Sequence, residues 1–181
     1  ARQNNKVAVF EVGRVYSAKN LPLADFPTEK PMLCMALSGK RNELNWNEGR
    51  DDVDFYDVKG IAEGLLNSLQ MQGYKLKAGN APYLHPGKSC MVEYNETAIG
   101  CFGELHPLVQ AAYGLSQPAY LFELEIEPLV ASATNVPQYR HLPKFPGTSR
   151  DIAVVVPVEV AMSTLIEVIK ANAGELLQTA R

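Results

Sequence analysis

The sequence has few of the residues that build metal centres and disulfide frameworks. Its 181 residues include three cysteines and three histidines, and no two have the Cys-x-x-Cys or His-x-x-x-His spacing that places two ligands on one ion. An odd number of cysteines does not suit a disulfide scaffold, so a reducing compartment, the cytoplasm, is the expected location. We therefore expect Cys90 and Cys101, which lie in apolar strand contexts, to be small buried hydrophobic side chains rather than metal ligands.

Long apolar runs and clusters of basic residues are also scarce. No apolar stretch approaches the ~20 residues of a membrane-spanning helix, and no signal-peptide pattern is visible. The formal net charge is −3, and Lys and Arg form no stripe interleaved with aromatic residues. These features argue against a membrane protein and against a specific RNA-binding module, whereas 46% hydrophobic residues suffice for a substantial core.

The most informative stretch is a predicted hairpin bracketed by two His-Pro pairs. Residues 91–105 are expected to form two strands joined by a turn at 95–97. A residue before proline favours extended conformations, so His85 suits a loop, and His106 suits the N-cap of the helix that follows it. The hairpin is therefore a structural element first, and any chemistry at its ends has to be argued separately.

Gly87-Lys88-Ser89 is similar to the end of a phosphate-binding P-loop, but two requirements of that loop fail. Pro82, which has no N–H to donate, occupies the position that needs a glycine, and a strand rather than a helix is expected to follow. One alternative remains open, a small-molecule site or an enzyme active site at the hairpin ends. Its candidate residues are His85, Lys88, Glu104 and His106.

Hydrophobic periodicity predicts the other elements of the first part of the chain. Strands are expected at 6–16, 31–38 and 120–127, and a helix over 54–72 that begins at a capping Asp54 and ends at Gly73. The last of these strands carries Glu123, Glu125 and Glu127 on the face opposite its apolar residues. We expect this acidic face to be solvated, because no Asp-x-Asp cluster supports a divalent metal there.

The end of the chain has a different composition. Residues 131–147 are rich in proline and polar side chains, which predicts a linker. A strand is expected at 151–156 and a helix beginning at a capping Ser163. One strand and one helix do not form a domain, so this end is expected to be a domain cut short.

Six segments taken together, in order, resemble the beta chain of bacterial phenylalanine–tRNA ligase (phenylalanyl-tRNA synthetase). They are VAVFEVGRVY, DFYDVKGIAEGLL, LHPGKSC, IGCFGELHP, YLFELEIEPL and FPGTSRDIAVVV. The resemblance implies an α+β fold, with a class II aminoacyl-tRNA synthetase-like antiparallel sheet flanked by helices over 1–139. It implies that 140–181 contain a linker and the truncated start of a ferredoxin-like anticodon-binding domain.

The resemblance also implies a division of labour between subunits. In this family the alpha chain activates phenylalanine with ATP and Mg²⁺ and transfers it to tRNA, whereas this beta-chain domain keeps the architecture without the active site. The implied partners are the alpha chain, in an assembly of two alpha and two beta chains, and phenylalanine tRNA. No catalytic, cofactor-binding or metal-binding residue is implied for this chain, and ATP and Mg²⁺ belong to the whole enzyme.

The residues agree with a non-catalytic reading of that resemblance. A class II site needs arginines for the ATP phosphates, but the predicted strand has no arginine ahead of Glu11, and strand alternation places Arg14 on the opposite face from Glu11. A scaffold that pairs with the alpha chain should expose an apolar surface, for which Trp46 and the Phe55-Tyr56 pair are candidates. Two candidate tRNA contacts, Lys144 and Arg150, lie near the implied domain junction, although an ion pair of Arg150 with an acid is an equal alternative.

Overall fold

The fold is built on a six-stranded antiparallel sheet with its main helix packed on one face. The computed structural model describes residues 6–18, 20, 22, 25–42, 46–47, 49, 51–133, 139, 142 and 144–180. The elements are β1 (Lys6–Ser17), β2 (Thr28–Gly39), α1 (Phe55–Ser68), β3 (Lys75–Ala78), β4 (Leu84–Tyr94), β5 (Thr97–Leu105), α2 (Pro107–Ala112), β6 (Ala119–Glu125), α3 (Ile126–Ser132) and α4 (Met162–Asn172). The strand order is β1-β2-β6-β5-β4-β3, which confirms the predicted antiparallel sheet flanked by helices.

Helix α1 begins where the sequence predicts and ends earlier. The Asp54 side chain accepts hydrogen bonds from the backbone N–H groups of Tyr56 and Asp57, and the Asp57 carboxylate accepts one from the Asp54 N–H, which together form a capping box. The predicted end at Gly73 is wrong, because Gln70 adopts a left-handed φ of 56° and turns the chain away after Ser68.

The core lies between α1 and the sheet. The helix buries Val58, Ala62 and Leu66. Opposite them the strands bury Leu37, Val92, Phe102, Phe122 and Leu124. Each fully buried side chain of this kind contributes about 1.5–3 kcal/mol relative to an exposed one, so this layer is the main source of stability. The alternation predicted over 120–127 is confirmed for Tyr120, Phe122 and Leu124, which are all buried, but Ile126 is wrong because it begins α3.

The predicted hairpin forms, but Thr97, predicted in the turn, begins β5, and the first strand begins at Leu84 rather than at Met91. Asn95 and Glu96, at φ values of 49° and 63°, make its two-residue turn. His106 caps α2, with Pro107 in the first turn. The loop expected at His85 is wrong, because β4 already begins at Leu84; the irregularity is a register shift between Leu84 and Ser89 within the strand.

The acidic face predicted for β6 is shorter than expected. The strand ends at Glu125, and Glu127 lies in the first turn of α3, where an acidic residue suits the helix dipole. The prediction that three acidic residues share one face of this strand is therefore wrong. Among the described residues, no group of three His, Cys, Asp or Glu side chains is placed to hold a metal ion.

The chain divides into two compact units, Ala1–Gln138 and Tyr139–Arg181. In the second unit α4 is present, but its N-cap is Ala161 rather than the predicted Ser163. The strand predicted at 151–156 is wrong, because no strand of the described chain pairs with these residues and a strand needs a paired neighbour. Much of the predicted linker at 131–147 lies outside the described residues. None of the described helices has the length and apolar character needed to span a bilayer.

Candidate functional site

The four residues predicted at the hairpin ends make separate contacts. Lys88 Nζ lies 2.5 Å from Glu104 Oε2. His85 Nδ1 accepts a hydrogen bond from the Gly87 N–H at 3.1 Å, and His106 Nδ1 accepts one from the Leu108 N–H at 3.2 Å. The structure therefore joins Lys88 with Glu104, while each histidine stabilises the backbone turn that follows it.

Glu104 is a buried charged residue with two partners. Besides Lys88, the Tyr120 hydroxyl donates to Glu104 Oε2 at 3.4 Å. Burial and the neighbouring negative charge of Glu104 raise the pKa of Tyr120 to about 12. A buried carboxylate is tolerated when it is paired in this way. The ion pair with Lys88 therefore explains how Glu104 can be buried at the edge of the core.

The sheet face opposite α1 carries a cavity of about 350 Å³. The strands contribute Cys34, Cys101, Leu121 and Glu123 to its lining. The rest of the lining is apolar or aromatic: Tyr83, Leu84, Leu105, Val109 and Tyr113. Register explains the convergence: Cys34 on β2 and Cys101 on β5 both pair with Glu123 on β6, so these three side chains form one row across the sheet.

Tyr83 and Glu123 form the polar part of this cavity. The Tyr83 hydroxyl donates a short hydrogen bond to Glu123 Oε2 and lies 3.2 Å from Cys101 Sγ. Because a hydroxyl has one hydrogen, the thiol is the donor in the second contact. Burial, followed by the contacts with Cys101 and Glu123, raises the pKa of Tyr83, so it remains a neutral donor.

All three cysteines have raised pKa values, Cys34 and Cys101 beside the cavity and Cys90 in the core under α1. Burial, and then the negative charges of Glu123 and Glu11, raise the pKa of Cys34. Burial also raises the pKa of Cys101, and that of Cys90 to about 11. Thiols with raised pKa values carry little thiolate at neutral pH, which disfavours both nucleophilic catalysis and metal binding by these residues.

Strand β1 exposes a large apolar surface at the edge of the sheet. Val9, Phe10 and Val12 are 57%, 75% and 63% exposed, and they lie on both faces of the strand. Of the residues predicted to form an exposed apolar surface, Trp46 and Tyr56 are 96% and 74% exposed. Phe55 instead packs against Phe102 in the core. The apolar run in β1, typical of a strand covered on both faces, is the sequence signal that could have identified this surface.

The two candidate tRNA contacts lie in the second unit and are both exposed. Arg150 Nη1 donates to the Ser149 carbonyl at 2.9 Å, and the described ion pairs do not include Arg150. The third histidine of the chain, His141, lies outside the residues that the structure describes. Both side chains thus present their charge to solvent, as a phosphate contact requires.

Comparison with known proteins identifies the family of this chain and proteins of similar fold. The model of the phenylalanyl tRNA synthetase beta chain CLM domain matches residues 1–126. The phenylalanine–tRNA ligase beta subunit of Pseudomonas putida is 37% identical over 99% of this chain, and that of Syntrophotalea carbinolica 34% identical over 98%. The chain spans only about 22% of the length of these relatives.

Among solved structures, pyrrolysyl-tRNA synthetase from Desulfitobacterium hafniense has a similar fold. The TM-score is 0.50 at 14% sequence identity, over 71% of this chain and 42% of that one. At this identity the likeness concerns the fold alone, and it fits the sheet flanked by helices that the sequence predicted. The family follows from the sequence match over residues 1–126: the chain belongs to the phenylalanyl-tRNA synthetase beta chain family and matches its CLM domain there.

Proposed function

We propose that the chain is part of the beta subunit of a cytoplasmic phenylalanine–tRNA ligase, in which it is a scaffold that pairs with the alpha chain and has no active site of its own. The family match over residues 1–126 carries this proposal. The whole enzyme would attach phenylalanine to its tRNA with ATP and Mg²⁺, in an assembly of two alpha and two beta chains.

The cavity chemistry supports a non-catalytic role. A triphosphate needs cationic side chains, but the cavity presents the Glu123 carboxylate, and Arg14 is held by Glu29 at 2.6 Å on the other face of the sheet. The lining of this cavity therefore does not fit ATP with Mg²⁺. Calorimetry of the 181-residue chain with Mg²⁺ and ATP should give no saturable heat up to millimolar concentrations; saturable ATP binding would sink the proposal.

The exposed face of β1 supports pairing with the alpha chain. A 12-residue edge strand with apolar side chains on both faces is a typical protein-interaction surface. Co-expression of the chain with an alpha chain from the same genome should yield a complex. The double substitution Phe10→Ser and Val12→Ser should abolish co-purification, whereas Leu176→Ser, at an exposed apolar residue of the second unit, should leave it intact. If the native chain and both variants co-purified equally with the alpha chain, pairing through β1 would be contradicted.

The domain assignment is part of the same proposal. Residues 1–139 would be the catalytic-like domain, and 140–181 would contain the linker and the start of a ferredoxin-like anticodon-binding domain. The division into compact units at Gln138 and Tyr139 supports the boundary. Lys144 and Arg150 would contact tRNA phosphates, so Lys144→Ala and Arg150→Ala should each reduce the slope of log affinity against log salt by about 1. Unchanged slopes would show that neither side chain contacts a tRNA phosphate.

The alternative function, a small-molecule site or enzyme at the hairpin ends, uses His85, Lys88, Glu104 and His106. It needs these four side chains to converge, but Lys88 pairs with Glu104 at 2.5 Å and each histidine accepts from a backbone N–H, so the described contacts favour the scaffold role over it. A ligand screen that protects His85 and His106 together from chemical modification would support it.

A further inference from the structure

We propose that the cavity opposite α1 binds small organic monocations, with the Glu123 carboxylate as the counter-ion and apolar walls around the body of the ligand. The cavity volume of about 350 Å³ lies in the range of small-molecule sites. This inference is independent of the pairing with the alpha chain, and the two fail separately.

The charge of Glu123 is the first argument. Its Oε2 accepts from Tyr83, and within the described part of the chain no Lys or Arg forms an ion pair with its carboxylate. Glu125, two positions along on the same face of β6, is paired with Lys30 at 2.8 Å. A cation stabilises a half-buried carboxylate that has only a neutral hydrogen-bond donor more than it stabilises a carboxylate already in an ion pair. Glu123 is such a half-buried carboxylate, and it lines the cavity.

The walls are the second argument, because they determine which cation fits. Leu84, Leu105, Val109 and Leu121 line the cavity with aliphatic groups, and Tyr83 and Tyr113 add aromatic rings. Apolar walls favour a ligand with a hydrophobic body over a hydrated metal ion, and aromatic rings attract organic ammonium groups. Glu11 lies next to Cys34 in the same cross-strand row, so the local negative potential disfavours anions.

Benzylamine, benzyl alcohol and benzoate test the inference, because they share one ring and differ in charge. The ¹⁵N-labelled 181-residue chain is titrated with each compound at neutral pH, and backbone amide shifts are followed. We expect saturable shifts with benzylamine around Leu84, Val109 and Leu121. Binding of benzyl alcohol should be about tenfold weaker, the effect of about 1.4 kcal/mol, and benzoate should not bind. Equal affinities for amine and alcohol, or no saturable shift with benzylamine, would overturn the proposal without any variant.

Two matched substitutions locate the charge. Glu123→Gln should reduce benzylamine affinity about tenfold, to the level of benzyl alcohol, whereas Glu125→Gln should leave it unchanged. Tyr83→Phe keeps the carboxylate and removes its neutral donor, so this variant should retain the preference for the amine. Native dispersion of the amide spectrum confirms folding in each case. An unchanged amine preference in folded Glu123→Gln, or its loss in folded Tyr83→Phe, would contradict the assigned counter-ion.

Discussion

Gln70, at the end of α1, has a backbone conformation that residues with a Cβ atom adopt at a cost. Its φ is 56°, its N–H donates to the Asn67 carbonyl at 2.9 Å, and the Met71 N–H donates to the Leu66 carbonyl at 3.0 Å. These two hydrogen bonds define a Schellman motif, whose left-handed position normally holds glycine. The buried side chains of Met71 and Leu66 belong to the same core, and they hold the strained turn in place.

Replacing Gln70 by glycine should therefore stabilise the chain. Removing the Cβ relieves a left-handed strain of about 1 kcal/mol, and the greater freedom of glycine in the unfolded chain offsets part of it, so a net gain of about 0.5 kcal/mol is expected. Urea unfolding followed by circular dichroism measures the change. Gln70→Ala, which keeps the Cβ, should give no such gain; a destabilised Gln70→Gly would show that the side chain of Gln70 stabilises the turn.

Gly100 on β5 is required for a different reason, close approach of the neighbouring strand. A Cβ there would meet the Glu123 carbonyl oxygen, and would lie 2.5 Å from Leu124 Cδ2 and 2.9 Å from Leu124 Cα. Because backbone atoms of β6 cannot move without breaking the sheet, Gly100→Ala should destabilise by about 1–3 kcal/mol. Gly60→Ala, on the exposed side of α1 with nothing within 4 Å, should stabilise by about 0.5–1 kcal/mol. Thermal unfolding of both variants measures the contrast, and equal effects would contradict it.

At the scale of elements, the start of α1 is held by an acid–base cluster. Arg41 Nε donates to Asp57 Oδ1 at 2.9 Å, and its Nη2 donates to Asp54 Oδ2 at 3.3 Å. Burial works to raise the pKa of Asp57, but the hydrogen bonds from Arg41 and from the Asp54 N–H outweigh it, and the pKa is lowered. A lowered pKa in the folded state stabilises the fold above the unfolded value of about 3.9, and this stability is lost as the pH falls below it.

Asp57→Asn should reveal this dependence. At about pH 7 it should reduce the free energy of unfolding by about 0.5–1.5 kcal/mol, because the charge-assisted capping contacts weaken. At about pH 3 the difference from the native chain should shrink, because Asp57 of the unfolded chain, with a pKa of about 3.9, then binds a proton that the lowered pKa disfavours in the folded chain. Urea midpoints across this range give the measurement. Glu63→Gln, which removes an exposed pair with Lys59 on the same helix, should have little effect, and a difference that stays constant with pH would count against the cluster.

The same elements show what a sequence can predict. The Asp54 cap of α1 and the His106-Pro107 start of α2 are local patterns, and neighbouring residues alone predict both; the reciprocal contact of Asp57 that completes the capping box was not predicted. The strand at 151–156 was predicted from its valine run and is wrong, because pairing depends on another segment. The cavity was not predicted, since Tyr83 and Glu123 are 40 residues apart and meet only through the order of β4, β5 and β6 in the sheet.

At the scale of the whole molecule, the distribution of buried residues is uneven. Among the described residues, every buried hydrophobic side chain lies between Leu37 and Leu129. The second unit, Tyr139–Arg181, contains α4, whose described residues include none that is buried. One helix without a covered apolar face does not form an independent core, so the first unit should hold the stability of the chain.

A chain shortened to end at Gln138 tests this asymmetry. We expect its thermal unfolding, followed by circular dichroism, to remain cooperative with a midpoint within about 4 °C of the full chain, since the removed residues contribute little buried apolar area. A peptide spanning Tyr139–Arg181 should unfold without a cooperative transition. A midpoint lowered by more than about 10 °C, or a cooperative transition in the peptide, would show that the second unit contributes stability of its own. The alpha chain should raise the midpoint of the shortened chain as much as that of the full chain, because β1, the proposed pairing surface, lies within the first unit.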